Sequence, residues 1–201
     1  MPTLPALTSL LQRSRARLST TATTLPQINT VLSITEHRSA GGHDYGLIRA
    51  HATGHYTVIL AATGSDLGAP LPTERDGVRT QLFRPVQALP GAGFAGLTSP
   101  AMLSWLRRVA PTADVVHVHT ARDLLTLPTA WLAERAGTRT VLQTHGMIDP
   151  SENPLAGPLD ALLTRRVLRD AHRVCYLTPQ EEQDLTEVAR GPVNLMELHN
   201  G

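Results

Sequence analysis

The chain has 201 residues, of which 41% are hydrophobic, 17% charged and 3% aromatic, and its 18 basic and 17 acidic side chains leave a net charge of +1. That length suits one full domain rather than two. The ordinary apolar content and near-zero net charge exclude wholesale disorder, and give no whole-chain argument for binding nucleic acid.

The first 27 residues carry Arg13, Arg15 and Arg17, many Ser and Thr, and no acid. Leu4, Leu7, Leu11 and Leu18 share a helical face, so 1–27 reads as a poorly ordered basic extension able to lie on a surface. From residue 28 the pattern becomes regular. Strands are expected at 28–35 (INTVLSIT), 56–62 (YTVILAA) and 77–83 (GVRTQLF), with Gly41-Gly42 and a short helix at 44–52 after the first. A Pro/Gly-rich stretch, 85–96, reads as a flexible surface loop. Ser99 or Thr98 then caps a helix with Pro100 in its first turn, and Pro111 ends it.

A strand at 114–119 (DVVHVH) is followed by a helix at 124–136 closed by Gly137, and by a strand at 139–144. The segment 159–172 has helical periodicity. It places Leu159, Leu162, Leu163, Val167 and Ala171 inward and Arg165, Arg166, Arg169 and Arg173 outward. After a strand at 174–177, Thr178-Pro179-Gln180-Glu181 combines an N-cap, an N1 proline and a capping-box acid. The last strand is 193–198. Seven alternations of strand and helix, with strands that are continuous apolar runs, predict an α/β fold: one domain with a doubly wound, Rossmann-like parallel sheet of about seven strands over 28–201. Ligands of such sheets sit at the carboxyl ends of the strands, and this rule ranks the candidate residues.

Several chemistries are absent. Every basic residue is Arg, so there is no Schiff-base lysine and no Walker-type phosphate lysine. The single cysteine, Cys175, cannot form an internal disulfide, and in its apolar run it reads as a small buried hydrophobe. The longest uncharged stretch, 85–106, is interrupted by Pro90, Gly91, Gly93, Gly96 and Pro100 and cannot span a membrane. There is no Asp-x-Asp pair and no G-x-S-x-G elbow. Gly91-Ala92-Gly93-Phe94-Ala95-Gly96 has dinucleotide-binding spacing but lacks the strand-turn-helix context that would aim a helix N-terminus at a pyrophosphate.

Four places remain. Gly41-Gly42 follows the first strand and precedes a helix, where glycine permits either close approach to a phosphate or an ordinary turn. His117 and His119 lie two apart at the end of one strand and share a face. They could form a metal pair, the polar wall of a cleft, or a structural pair; no further ligands accompany them, so no metal is expected. His145-Gly146 occupies the same place after the next strand. Its imidazole could bond a sugar hydroxyl, hold a phosphate or move a proton, or simply be satisfied by backbone. The Arg165, Arg166, Arg169, Arg173 stripe reads as a solvated face, with attraction to anionic lipid or a polyprenyl or sugar phosphate as the alternative.

The run Asp114-Val115-Val116-His117-Val118-His119, then Pro128 and Gly137, then Thr144-His145-Gly146-Met147-Ile148-Asp149-Pro150, resembles the family 4 glycosyltransferases of GT-B fold. The likeness continues through Leu168-Arg169-Asp170-Ala171-His172-Arg173, Leu177-Thr178-Pro179 with Glu181 and Glu182, and on to Asn200-Gly201. It covers about 28–201 and is most specific from 114 onward. The resemblance implies the amino-terminal, acceptor-binding half of a retaining transferase that moves a sugar from a nucleotide-sugar donor to a glycan or lipid-linked acceptor. It implies that Gly41 and Gly42 approach the donor diphosphate, that His145 is the catalytic contact to the reacting sugar or acceptor, and that His119, with His117 and Gly146, lines the substrate pocket. No cofactor or metal is implied. A missing or separately encoded carboxy-terminal donor domain is the expected partner, and without it little or no transfer is expected. The expected setting is cytoplasmic, with room for peripheral contact at the inner membrane face. The competing expectation is a non-catalytic binding module or degenerate remnant, and a weaker one is a nucleotide-sugar epimerase of similar fold.

Overall fold

The computed structural model describes residues 31–38, 56–63, 74–75 and 78–198. The 1–27 extension, Gly41-Gly42, the helix expected at 44–52 and the closing Asn200-Gly201 lie outside them. Ten strands are described: β1 (Val31–Arg38), β2 (Tyr56–Thr63), β3 (Glu74–Arg75), β4 (Val78–Phe83), β5 (Val86–Gln87), β6 (Leu97–Thr98), β7 (Val115–His119), β8 (Arg139–Gln143), β9 (Arg173–Tyr176) and β10 (Leu195–Glu197). Eight of them form one sheet in the order β10-β9-β8-β7-β1-β2-β4-β3. All neighbours in it run parallel except the short β3–β4 pair. The chain winds outward from β1 through β2 to β4, returns to the middle, and winds the other way from β7 to β10. The α/β doubly wound sheet is therefore present, and its order reverses between β1 and β7.

The helices among the described residues are α1 (Pro100–Val109), α2 (Thr126–Arg135), α3 (156–170) and α4 (Pro179–Ala189). They pack side by side in chain order, and α2 also lies on β7 and β8. Met102 and Leu106 of α1, Leu127 and Ala130 of α2, and Val167 and Leu168 of α3 meet Val116, Val118, Leu142 and Val174 of the strands in one core, all of them fully buried. Because strand side chains alternate, Val116 and Val118 facing these helices sends His117 and His119 to the opposite face of β7. Ser99 starts α1 as expected: its hydroxyl accepts from Met102 N at 3.4 Å and donates to Arg84 O at 3.1 Å. The α-helix ends at Val109, and Pro111 sits within a 3-10 turn, Ala110–Thr112. Gly137 takes φ +76° after α2, a left-handed turn that suits glycine.

Two expectations need correction. The stretch 85–96 is a built hairpin rather than a flexible loop. β5 pairs with β6, Gln87 Nε2 donates to the carbonyls of Leu89 and Gly93 at 2.8 and 3.0 Å, and Ala95 O accepts Leu124 N at 3.1 Å. The second correction is Leu162, which is 79% exposed instead of inward. At about 100° per residue Asp160, Thr164, Val167 and Leu168 share the buried face of α3, and Leu162 falls on the side opposite to it. A π-helical turn, Asp160–Thr164, lies within the same helix. Further along, Arg166 and Arg169 are exposed, while Arg165 donates through Nε to Val188 O at 3.2 Å.

Cys175 is buried as expected, and burial pushes its thiol up to about 12. At the opposite edge from the strand ends, a cleft of about 440 Å³ is lined by Trp131, Glu134, Arg139, Thr140, Arg166 and Asp170. Burial, and then the charge of Asp170, push Glu134 up from 4.5 to about 8.

Two outcomes are expected. Cys175 resists thiol reagents at pH 8 in the native protein and reacts only on unfolding, as a colorimetric thiol assay with and without urea would show. Between pH 4.5 and about 8 the folded chain retains a proton on Glu134 that the unfolded chain releases, so this group's contribution to stability declines as pH rises. Thermal melts at pH 5 and 8 should therefore show a smaller decline in Glu134→Gln than in the parent.

Candidate active site at the carboxyl rim of the sheet

Parallel strands end on the same edge, so the tips of β7 and β8 are neighbours. Their register pairs His119 with Gln143, and Thr120 N donates to Gln143 O at 2.8 Å, which holds the two loop starts together. His119 closes β7, and His145 stands just past β8. Across that gap His119 Nδ1 and His145 Nε2 lie 2.8 Å apart, and the rings meet edge to edge, nearly coplanar, with centroids 5.1 Å apart and planes 9° apart. His117 lies behind, its ring centroid 4.7 Å from that of His119.

The three imidazoles are unequal in access. His117 and His119 are 7% and 8% exposed, whereas His145 is half-buried. His145 is thus the ring that faces outward, and His119 backs it. In their contact one nitrogen donates and the other accepts, so a single proton lies between them; two imidazolium rings would oppose two donors. Such a geometry suits a half-buried group that can bond or exchange a proton with a ligand, its orientation fixed by a partner behind it.

The loop that presents His145 has an unusual backbone. His145 has φ +50° and Gly146 φ +70°. Glycine adopts this region freely, but for a residue with a Cβ it costs about 1–2 kcal/mol. Compensating contacts come from Glu181, which is 4% exposed on the first turn of α4. One of its carboxylate oxygens accepts from Thr144 Oγ1 and from Gly146 N, the latter at 2.6 Å; the other accepts from Leu177 N at 2.7 Å. Met147 N donates to Thr144 O at 2.8 Å and closes the turn. The expected cap also forms, with Thr178 Oγ1 accepting from Glu181 N at 3.2 Å. The acid does not fold back on the cap residue's own N–H, however, but reaches across to the β8 loop.

Of the candidate residues, His117, His119, His145 and Gly146 come together on this rim. The Gly146 N–H is committed to Glu181, so what this glycine contributes is its left-handed φ and an open approach rather than a backbone donor. Gly41 and Gly42 lie outside the described residues. Among the described residues no group of three or more His, Cys, Asp or Glu is arranged to hold a metal ion.

Other residues of the rim emerge only from the structure. Asp123, buried at the start of α2, accepts from Leu125 N, Thr126 N and Thr126 Oγ1 at 2.7, 2.5 and 2.9 Å; its burial pushes it up to about 6 despite these donors. Arg122 donates through Nε to Asp160 at 2.9 Å and through Nη2 to Asp149 O at 2.5 Å. It thereby ties the β7–α2 loop to both the His145 loop and the π-turn. The available sequence signal was Asp160 itself, an acid inside an apolar helical stripe. Met147 and Leu155, 45% and 53% exposed, leave apolar surface on the same β8–α3 connection.

A sequence family described as glycosyl transferase 4-like domain matches residues 45–201. The chain belongs to that family. Its structure resembles Anabaena HepE, solved with UDP, at a TM-score of 0.59 and 16% identity, over 86% of this chain and 44% of HepE. It resembles a sucrose-phosphate synthase structure from Thermosynechococcus elongatus at 0.50 and 13%, over 85% and 89% of the respective chains. It also resembles a UDP-glucosyltransferase from Polygonum tinctorium at 0.52 and 10%, over 87% and 52%. No curated protein matches. The chain spans about half the length of HepE and of the Polygonum enzyme. The fold is that of the amino-terminal domain of a family 4, GT-B glycosyltransferase. No helix among the described residues is long and apolar enough to cross a membrane.

The side chains of Arg122 and Asp160 are only 12% and 11% exposed. Removing one member of such a pair strands the other charge, at about 3–5 kcal/mol. Asp160→Ala should lose stability on that scale in urea unfolding, and the paired replacement Arg122→Met with Asp160→Leu should restore most of it.

Proposed function

We propose that this chain is the acceptor-binding half of a retaining glycosyltransferase, moving a sugar from a nucleotide-sugar donor to a glycan or lipid-linked acceptor. The observation that carries the proposal is His145: a half-exposed imidazole held on the carboxyl rim by His119, in a chain of the glycosyl transferase 4-like family. UDP in the HepE structure and the name of the Polygonum enzyme support a nucleotide-sugar donor.

In this proposal His145 meets a hydroxyl of the reacting sugar or the acceptor, and His119 fixes its tautomer. Gly41 and Gly42 approach the donor diphosphate. No protein nucleophile is used; the leaving phosphate takes the acceptor proton as the new glycosidic bond forms on the same face. The donor is gripped mainly by a carboxy-terminal domain, encoded with this chain or separately, which docks over the rim. Exposed Met147 and Leu155 give that contact apolar surface. A non-catalytic binding module sharing the same rim is the competing proposal. We place the chain in the cytoplasm, with contact to the inner membrane face through the exposed arginines of α3.

Two measurements test this. The 201 residues by themselves should show no micromolar binding of a nucleotide sugar in calorimetry, since the donor site needs both halves. In the assembly of this chain with its donor domain, His145→Ala should lower kcat by about 10²-fold or more, the scale of a lost hydrogen bond to the reacting group in the transition state, with donor KM little changed. Unchanged turnover would leave only the binding module.

A further inference from the structure

We propose that Glu181 is a positioning residue that sets the orientation of the His145 ring through the His145–Gly146 peptide. The proposal deepens, and rests on, the reading of His145 as the group that meets the sugar. By its place in the sequence, Glu181 should be a local cap at the start of α4. Thr178 has already satisfied the N–H of Glu181, and the carboxylate instead spans to the β8 loop, bonding Thr144 Oγ1 and a Gly146 N–H that is 35 residues away in sequence. Its second oxygen holds Leu177 N at the end of β9. The buried carboxylate thus fastens the tips of β8 and β9 to one helix, with every partner a donor, as an acceptor-only group requires.

The position of these bonds is what connects them to the ring. Gly146 N belongs to the peptide plane that follows His145 Cα, and His145 is the residue with the strained φ of +50°. Fixing that plane fixes the direction in which the His145 side chain leaves the backbone. From there the ring reaches His119 Nδ1 at 2.8 Å with its plane 9° from the His119 ring. An in-plane hydrogen bond this short tolerates little rotation of the backbone beneath it. Glutamine at 181 keeps the size but replaces one acceptor oxygen with an NH2 group. In either amide orientation a donor then faces either Leu177 N–H or the Thr144 and Gly146 pair, and the turn loses its lock.

The test uses nitrogen NMR of the imidazoles in the whole chain, which reads the protonated nitrogen of each ring directly. In the parent protein, His119 Nδ1 and His145 Nε2 should appear as one donor and one acceptor, with fixed tautomers. In Glu181→Gln the His145 nitrogens should average between tautomers and the ring-current shifts between the two histidines should shrink. Glu182→Gln, one position along the same turn, should change neither. Should Glu181→Gln fail to fold, Thr144→Val removes one arm of the same lock and should give the same signature more weakly. A Glu181→Gln or Thr144→Val protein that melts earlier but keeps both tautomers would overturn the proposal, because the acid would then be only a structural tie. In the assembly with the donor domain, Glu181→Gln should lower kcat toward the level of His145→Ala, up to about 10²-fold, and add nothing on top of it. If His145→Ala leaves turnover unchanged, the functional reading falls while the NMR result still stands or falls by its own measure.

Discussion

Everything at the rim follows from the direction of the strands. In a sheet whose neighbours are parallel, each crossover must bring the chain back to the starting edge before a new strand begins, so all strand tips share the other edge. The winding changes sense between β1 and β7, the kind of switch point at which such sheets take up ligands. His119 and His145 are brought together by this topology, the residues between them holding the return helix α2 and the strand β8. The fully buried β7 keeps the base of the site rigid. Mobility at that level would disturb a hydrogen-bonded imidazole pair before any substrate met it.

The second requirement is that a loop residue with a Cβ remain in a left-handed conformation. Strain of this kind persists only where the surroundings over-determine it, and it gathers at functional sites. Here the surroundings are one carboxylate and one neighbouring glycine. The arrangement resembles, in chemical logic, an acid–base group with an orienting group behind it and a support under its backbone. Arg122 performs the related service one loop away, joining three segments distant in sequence with a single guanidinium whose fork reaches Asp160 and the carbonyl of Asp149 together.

The parts legible in the sequence were those with local causes. Apolar runs marked the strands, Ser99 and Thr178 marked helix starts, and two histidines at period two on a strand declared a shared face. The placement of His145 beside His119 also followed, because strand tips in a parallel sheet have a known address. What escaped was long-range or phase-dependent. Glu181 read as a capping acid because its sequence neighbourhood fits one, and nothing nearby signals that its partner lies on another strand. Leu162 reads as inward because leucine suits a core, whereas the buried face of α3 carries two polar residues, Asp160 and Thr164, and leaves the leucine on the far side. The 85–96 stretch looked loose from its glycines and prolines, while the order comes from the Gln87 side chain and from a backbone bond to Leu124.

The ion pair has a consequence for how α3 can vary. Asp160, early in the helix, meets Arg122, while Val167 and Leu168, two turns on, sit in the core. Deleting one position between them would rotate the two ends by about 100° relative to each other, so that either the acid leaves its guanidinium or the apolar pair leaves the hydrocarbon. The length of this segment is therefore fixed from both ends.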